Sequence, residues 1–522
     1  MIPFTAPVED ILFALVDIAD AGRLPDFDAE TTSDILVHFA AFAEGVIAPL
    51  NAGGDAEGCH FEDGRVRMPK GFAAAYRELA DAGWQGLSAP EDYGGMGLSP
   101  VIAAGISEIF SGANHALQMV CNLVPGAIET LLHFGSDTQR QRWIPPLADG
   151  STLATMCLTE PGAGSDLSRI RTLAHRDGES YRLTGEKIFI SGGDQDMSEN
   201  ILHLVLARTG DASSGVKGLT LFLTDRITAG ETLSITRIEE KLGLHASPTC
   251  QMAFVDTPAE RIGAEGDGLK AMFTVMNHAR IDVALQGVAH AARAFHIAST
   301  YAGERQQGRK TDGSAALLSD HADIRRMLGE QRALTIGSRA MAHLALVESC
   351  LGERPALADF LTPVVKLFAT EAGIRAADLG IQVLGGYGYL TEYGMSQIWR
   401  DARITAIYEG ANGIHALTIA TRGLTHQAGL GADAFASLVA RLSQGDSDVA
   451  ALLDGWNRWR QQLVTCADPR PQAHDFATAT AAILYRAIWC RIAAAAIGRA
   501  DAGEMKELKE RVLAAPFPAI MP

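Results

Sequence analysis

Cysteine is scarce in this chain, basic residues are outnumbered, and long apolar runs are missing. The seven cysteines, Cys59, Cys121, Cys157, Cys250, Cys350, Cys466 and Cys490, are scattered and odd in number, and no two form a Cys-x-x-Cys pair. This argues against a disulfide framework or a zinc site and for a reducing compartment, here taken as cytoplasmic, with no metal. Lys and Arg number 44 against 62 Asp and Glu, a net charge of −18. Such a surface repels nucleic acid and anionic membranes, and no basic run offsets it. No uninterrupted apolar stretch reaches membrane-spanning length, so no integral membrane segment is expected. Residues Met1 to Asp20 lack a basic start and carry Glu9, Asp10 and Asp17. They read as an amphipathic helix, not as a signal or transit peptide.

What is present describes a globular protein. The chain has 522 residues, of which 47% are hydrophobic, and its mean hydropathy is +0.08. That length allows about three or four domain-sized units with ample core. From about residue 30 to 150 the pattern is helical. Ile35, Leu36, Phe39, Phe42 and Ala43 recur at three- and four-residue spacing, as do Phe72, Ala75, Tyr76 and Leu79. Leu117 to Leu132 is strongly apolar and interrupted by Pro125, and from its residues alone it reads as core. Near residue 155 the pattern turns to strands. Tyr181, Leu183, Gly185, Lys187 and Phe189 alternate with their neighbours, and Ile201–Ala207, Gly218–Leu223 and Thr249–Val255 are short β-rich runs. Helical periodicity returns after Gly268, with long helices expected over 280–302, 315–350, 355–384 and 412–423. Gly385-Gly386-Tyr387-Gly388-Tyr389 breaks the third of these. The last stretch, 426–522, is again apolar and helical.

Two segments carry chemistry. In the first, Ile404-Thr405-Ala406-Ile407-Tyr408-Glu409-Gly410-Ala411-Asn412-Gly413-Ile414, one carboxylate stands between an aromatic residue and a turn. Apolar surroundings raise a carboxyl pKa toward the range of a general base, although a glutamate before a turn also describes a solvated helix end. In the second, Met156-Cys157-Leu158-Thr159-Glu160-Pro161-Gly162-Ala163-Gly164-Ser165-Asp166, two glycines permit close backbone approach to a ligand. Successive N–H groups there can form an anion nest, with Ser165 as a further donor. The bland alternative is an ordinary Pro-Gly turn. No Gly-x-Gly-x-x-Gly fingerprint in a βαβ unit is present at this position.

The second segment resembles the flavin-binding signature of the acyl-CoA dehydrogenases, and Tyr408-Glu409-Gly410 resembles the base motif of the same family. Three further matches lie between them in the right order. These are Lys187-Ile188-Phe189-Ile190-Ser191, Lys241-Leu242-Gly243 with Ser247-Pro248-Thr249-Cys250, and Gln382-Val383-Leu384-Gly385-Gly386. The resemblance covers roughly residues 30–425. Ala6-Pro7-Val8, Leu50-Asn51, Gly53 to Asp55 and Asp92-Tyr93-Gly94-Gly95 are similar to the long bacterial subgroup that includes the methylmercaptopropionyl-CoA dehydrogenases.

The resemblance implies a mixed α and β fold. An N-terminal helical domain (1–154) would be followed by a small central β domain (155–266) and a C-terminal four-helix bundle (267–425). An extra helical segment (426–522) would end the chain. The resemblance also implies FAD as cofactor and an acyl-CoA substrate dehydrogenated between Cα and Cβ. Glu409 would take the α-proton while flavin N5 accepts the β-hydride, since side chains accept hydride poorly. The backbone N–H of Glu409 would meet the thioester oxygen. Thr159 would bond the flavin pyrimidine edge, and Gly164 and Ser165 its pyrophosphate. Phe189, where many relatives carry Trp, would cover the ring, and Ser191 would reach its N5 region. Arg305, Gln382 and Gly386 match residues that touch a neighbouring subunit's FAD, which implies a homodimer. Met156, Leu158, Ala411 and Gly413 complete the cofactor set. Arg280 matches an arginine near the base, with a structural salt bridge as the competing role. A local cationic groove can still bind CoA on an acidic protein. Electron-transfer flavoprotein is the expected electron acceptor. An oxygen-consuming oxidase, a carrier-linked desaturase and a non-catalytic flavin-binding homologue are the competing readings. Acyl length is set by a few side chains at the pocket base and is not readable from sequence.

Overall fold

The computed structural model describes residues 2–517; Met1 and 518–522, the two ends of the first and last expected segments, lie outside the described residues. The predicted N-terminal helix is shorter than expected. Residues 2–7 are non-helical; the chain then forms α1 (Val8–Leu12) and continues in wider π turns over Phe13–Ile18. Pro3 and Pro7 account for the late start, because each restricts the residue before it to extended backbone.

Helix α2 (Ala29–Phe42) is capped by Asp28, whose carboxylate accepts Thr31 N–H at 2.7 Å. Through π and 3-10 turns it runs on to α3 (Asn51–Glu57). By length and composition alone residues 29–57 can cross a membrane, which the expectation from uninterrupted runs did not anticipate. The stretch also carries Glu30, Asp34, Glu44, Asp55 and Glu57, and it buries Leu36, Phe39, Ala43 and Ile47 inside the protein. A hairpin absent from the sequence reading follows, β1 (His60–Glu62) and β2 (Arg65–Arg67). Its Asp63-Gly64 turn has both φ values positive, 52° and 73°, the geometry that two-residue hairpins favour. Next come α4 (Phe72–Asp81), α5 (Pro100–Cys121), α6 (Leu123–Phe134) and α7 (Asp137–Ala148). α7 starts in a Ser136/Gln139 capping box.

The β domain consists of β3 (Thr152–Cys157), β4 (Leu173–Asp177), β5 (Ser180–Ser191), β6 (Asn200–Arg208), β7 (Leu219–Asp225), β8 (Leu233–Ile238) and β9 (Thr249–Ile262), with one helical turn, α8 (Arg226–Ala229), after β7. β5 pairs with β4 and β9, β9 with β7, and β7 with β6. β6 meets β4 through Leu173 and Arg208, so the sheet closes on itself, with β3 added beside β6 and β8 beside β9. Cys157, Leu183, Val205, Phe222, Cys250, Met252 and Phe254 fill its interior. Closure leaves few strand edges open.

Helix α9 (Gly268–Glu304) starts twelve residues before the expected 280. A second hairpin, β10 (Gln306–Arg309) and β11 (Ala315–Leu317), delays α10 to Ala322–Leu351, later than the expected 315. Gly308 and Gly313, both at positive φ, make that hairpin possible. α11 (Pro355–Leu384) begins on Pro355 and ends at Gly385, φ 61°. α12 (Met395–Ala402), α13 (Asn412–Ala420) and α14 (Arg422–Thr425) follow. The end of the chain is helical as expected: α15 (Leu430–Leu442), α16 (Ser447–Thr465), α17 (Ala473–Ala495) and α18 (Ala502–Ala514). α17 packs against α10, α11 and α13. A Cβ on Gly337 would stand 2.2 Å from Tyr485 Cε2, so glycine is what lets α17 approach α10. Trp489 is fully buried.

The order is therefore helices, closed sheet, helices, as the fold class required. The chain forms two compact units. One comprises Gly45–Ser99 and Ala113–Ala279 and holds the sheet. The other comprises the chain up to Glu44, Pro100–Gly112 and the chain from Arg280 onward.

Candidate active site

In the sheet unit, β3 runs out at Cys157 into the glycine-bearing segment. Leu158 O accepts Lys187 Nζ at 3.0 Å, and Thr159 O accepts Ile188 N–H at 2.9 Å, so the segment lies alongside β5. Glu160 and Ala163 exchange backbone hydrogen bonds of 3.1 and 3.0 Å, which pinch Pro161 and Gly162 into a turn. The Glu160 carboxylate points inward. It meets Lys187 Nζ at 2.8 Å and accepts Arg171 N–H at 2.6 Å and Thr172 N–H at 3.0 Å. Past this anchor Gly164 and Ser165 are exposed, and a Cβ built on Gly162 or Gly164 meets nothing within 4 Å. Met156, Thr159 and Ser191 are partly exposed, while Leu158 is buried.

Phe189 stands out on β5. It sits in a bulge between Lys187 and Ile190 of the β5–β9 pairing, with φ 59°. A bulky residue in the left-handed region costs about 1–3 kcal/mol, yet its side chain is 60% exposed. A core role for Phe189 is excluded. An exposed ring held in a strained bulge, an open glycine turn and a hydroxyl at Ser165 fit a flat aromatic group joined to a phosphate-bearing tail, which is the shape of FAD.

In the helical unit, a 3-10 turn over Arg403–Ala406 leads to Tyr408 and Glu409. Glu409 has φ 52° and Gly410 φ 94°, and Ala411 then caps α13. Glu409 is partly exposed, but its Oε2 is buried and has no hydrogen-bond partner among the described residues. Burial pushes this carboxyl up to about 7, against the opposing pull of Arg280 and Lys366 and with a further push from Asp282. Arg280 on α9 thus acts electrostatically on the Glu409 carboxyl. The solvated-helix-end alternative for Glu409 does not describe this geometry.

Several residues around Glu409 were not anticipated. Lys366, fully buried on α11, donates to Gly410 O at 2.8 Å and Asn412 Oδ1 at 3.1 Å. His415 Nε2 lies 3.2 Å from Glu409 O. Burial pushes His415 down to about 3, so the ring is neutral and its Nε2–H is the donor to that carbonyl. Tyr408 OH donates to Gln286 Oε1, and Gln286 Nε2 donates to Asp282 Oδ2 at 2.9 Å. The usable signal for Lys366 was a lone charge amid Pro363-Val364-Val365 and Leu367-Phe368. Nothing in the sequence marked Gln286 or His415.

Arg305 and Gly386 come together elsewhere in this unit. Arg305 follows α9 with its guanidinium 5.6 Å from the Tyr387 ring. Gln382 in the last turn of α11 and Gly386 just beyond it are exposed, and a Cβ on Gly386 or Gly413 meets nothing within 4 Å. Ala411 is partly exposed.

Residues 29–151, 155–257 and 266–424 match the N-terminal, middle and C-terminal domains of acyl-CoA dehydrogenase. The chain is 42% identical over 467 residues to the 3-methylmercaptopropionyl-CoA dehydrogenase of Ruegeria pomeroyi, spanning 84% of this chain and 79% of that protein. The butyryl-CoA dehydrogenase structure from Megasphaera elsdenii superposes with a TM-score of 0.68 at 26% identity, over 76% of this chain and 100% of that one. An acyl-CoA dehydrogenase from Bacillus anthracis, solved with FAD, superposes with a TM-score of 0.77 over 96% of this chain and 89% of that one; at 22% identity it speaks to the fold alone. This chain belongs to the acyl-CoA dehydrogenase family, flavoenzymes that use FAD to dehydrogenate acyl-CoA thioesters.

Proposed function

We propose that the chain converts an acyl-CoA to its 2-enoyl-CoA, with Glu409 as the base that removes the α-proton. The observation that carries this reading is the buried Oε2 of Glu409, unpartnered among the described residues, on a carboxyl raised to about 7. Such a group is half ionised near neutral pH and has a free lone pair for a proton. The positive charges of Arg280 and Lys366 hold the carboxylate form, and they lose part of that role when the proton arrives. The backbone N–H of Glu409 is the proposed donor to the thioester oxygen, where enolate charge develops. The positive φ at Glu409 and Gly410 supports a reading in which one residue supplies both groups.

The FAD set proposed for this chain is Met156, Leu158, Thr159, Gly164, Ser165, Phe189 and Ser191, with Ala411 and Gly413 beside the base. When bound, FAD supplies at N5 the acceptor for the hydride that leaves Cβ. Phe189 offers its exposed face to the ring, and the turn at Gly162–Gly164 leaves room for the phosphates. Arg305, Gln382 and Gly386 are proposed to complete a second subunit's FAD site in a homodimer. Electron-transfer flavoprotein is the proposed acceptor, against the competing oxidase reading, which oxygen consumption without an added acceptor would reveal.

The 42% identical relative makes 3-methylmercaptopropionyl-CoA the first substrate to try. The test is anaerobic bleaching of the flavin by that thioester and by straight-chain acyl-CoAs, in the parent and in Glu409→Gln. The amide keeps the shape and cannot take the proton, so reduction slows by about 10²–10⁴-fold. Reduction at the parent rate would show that another residue is the base.

A further inference from the structure

We propose that Lys366 is a positioning residue for the base: from α11 it grips the Glu409–Gly410 turn and sets the charge that the Glu409 carboxylate faces. This rests on Glu409 being the base. Lys366 lies fully buried between Val365 and Leu367, both buried as well. A buried ammonium is tolerated only when it is paired and hydrogen-bonded. Its acceptors here are the turn itself, Gly410 O at 2.8 Å and Asn412 Oδ1 at 3.1 Å.

Asn412 is in turn held by α11. Its Nδ2 donates to Glu371 Oε1 at 2.8 Å and Thr370 Oγ1 at 3.1 Å. One helical turn and a half of α11, from Lys366 to Glu371, therefore fixes the far end of the loop that carries Glu409. On the near side the His415 ring bonds Glu409 O at 3.2 Å and leaves no room at Gly410. A Cβ there would meet His415 Nε2 at 2.8 Å. Glu409, a non-glycine residue at φ 52°, keeps that conformation only where the surroundings over-determine it. Lys366 and His415 provide that constraint, one on the Gly410 carbonyl and the other on that of Glu409.

The titratable groups facing this turn are Arg280 and Asp282 from α9, Lys366 and Glu371 from α11, and neutral His415 from α13, with the Tyr408 phenol beside them. Burial brings Lys366 down to about 7, against the opposing effect of Glu409 and Glu371. Glu409 is raised to about 7. The two groups thus titrate in the same range and influence each other, so a change at position 366 must move the base.

The test compares Lys366→Met and Lys366→Arg holoenzymes with the parent and with Glu409→Gln. The substrate is whichever of butyryl-, octanoyl- or 3-methylmercaptopropionyl-CoA the parent turns over fastest. Lys366→Met removes both the grip and the charge. Its limiting rate of flavin reduction is expected to fall by about tenfold or more, as small misplacements of a reacting group do. The acid limb of its kcat/KM profile is expected to move up by about one pH unit. Lys366→Arg makes the charge permanent, so its limb is expected to move below that of the parent, with part of the rate recovered. FAD content and the urea unfolding midpoint are read alongside, since a purely structural lysine would alter these without shifting the limb in opposite directions. Folded, FAD-bearing variants whose limbs coincide with the parent's would overturn the proposal. If Lys366→Met does not fold, the position of the Lys366→Arg limb alone decides. Loss of activity in Glu409→Gln with unmoved limbs at position 366 would remove the positioning role only. An active Glu409→Gln would remove the base reading beneath it.

Discussion

Lys187 Nζ stands 2.8 Å from Glu160 Oε1, with the lysine fully buried and the glutamate nearly so. The pair joins the glycine-bearing turn after β3 to the strand that displays Phe189. Burial alone would push the Glu160 carboxyl up, but Lys187, Thr172 and the Arg171 N–H more than reverse this, and it lies below the ordinary range. The exposed face that carries Phe189 and the glycine turn is thus pinned from inside the sheet by an ion pair.

Breaking that pair from either side is expected to cost about 3–5 kcal/mol, because the remaining charge is buried without compensation. Glu160→Gln and Lys187→Met should each show this in urea unfolding at pH 7. The double variant should cost less than their sum. The sign of the pH dependence follows from the depressed folded-state pKa of Glu160. Its contribution is present above the unfolded value, about 4.3, and is lost as pH falls through the folded value. The gap between the parent and Glu160→Gln should therefore narrow below about pH 4. A gap that is constant from neutral pH down to acid would refute the ionised pair.

Glu409 runs the other way. Its folded-state pKa, about 7, is above the unfolded value, so the folded protein holds the proton more tightly. Stability tied to this group is fully present below the unfolded pKa and declines as pH rises through the folded one. The parent should lose on the order of 2 kcal/mol relative to Glu409→Gln between pH 5 and pH 8, measured as unfolding free energies. Over the same range kcat/KM of the parent should climb toward a plateau, as the proposed base role requires, since a base acts only as its carboxylate. A parent that tracks Glu409→Gln in stability across that range would show that Glu409 is ionised at its ordinary pKa.

Phe189 offers a sharper separation of fold from function. Its ring is 60% exposed and its φ is 59°, so little packing is lost by removing it. Phe189→Gly relieves the backbone strain and adds entropy to the unfolded chain, effects of about 1 kcal/mol each and of opposite sign. The apoprotein should therefore unfold within about 1 kcal/mol of the parent, while FAD is held at least about tenfold more weakly. FAD retained at the parent affinity would mean that the ring does not cover the flavin.

Local patterns made much of this molecule legible. The alternation through Tyr181, Leu183 and Phe189 marked β5 correctly, and the apolar spacing between Pro355 and Leu384 marked α11 from end to end. Helix starts were harder. α10 was placed seven residues early because the hairpin around Gly308 and Gly313 shares its apolar flank with the helix. The pairing of Glu160 with Lys187 spans 27 residues; both lay inside recognised motifs, yet no local rule joins them. Lys366 and Glu409 are 43 positions apart, and His415 looked like any polar residue in a helix. Contacts of this kind depend on how elements pack, and periodicity records only which face is buried.

Assembly is the remaining expectation. Beside Arg305, Gln382 and Gly386 the helical unit exposes Tyr387, Leu390 and Tyr389, the last at 86%. A cationic group, a glycine turn open to approach and an adjoining aromatic rim suit contact with a second copy and with the adenosine part of its FAD. The α10, α11 and α13 surface is covered by α17, which leaves less helical surface for a second round of pairing and favours a dimer over a tetramer. Light scattering of the holoenzyme should give a dimer. Arg305→Ala should remain dimeric and release FAD more readily, as the proposed role of this exposed arginine at the neighbour's cofactor requires. Tyr389→Asp should shift the protein toward monomer and lower FAD content with it. A stable monomer with full FAD content would refute the shared site, whereas a tetramer would refute only the role given to α17.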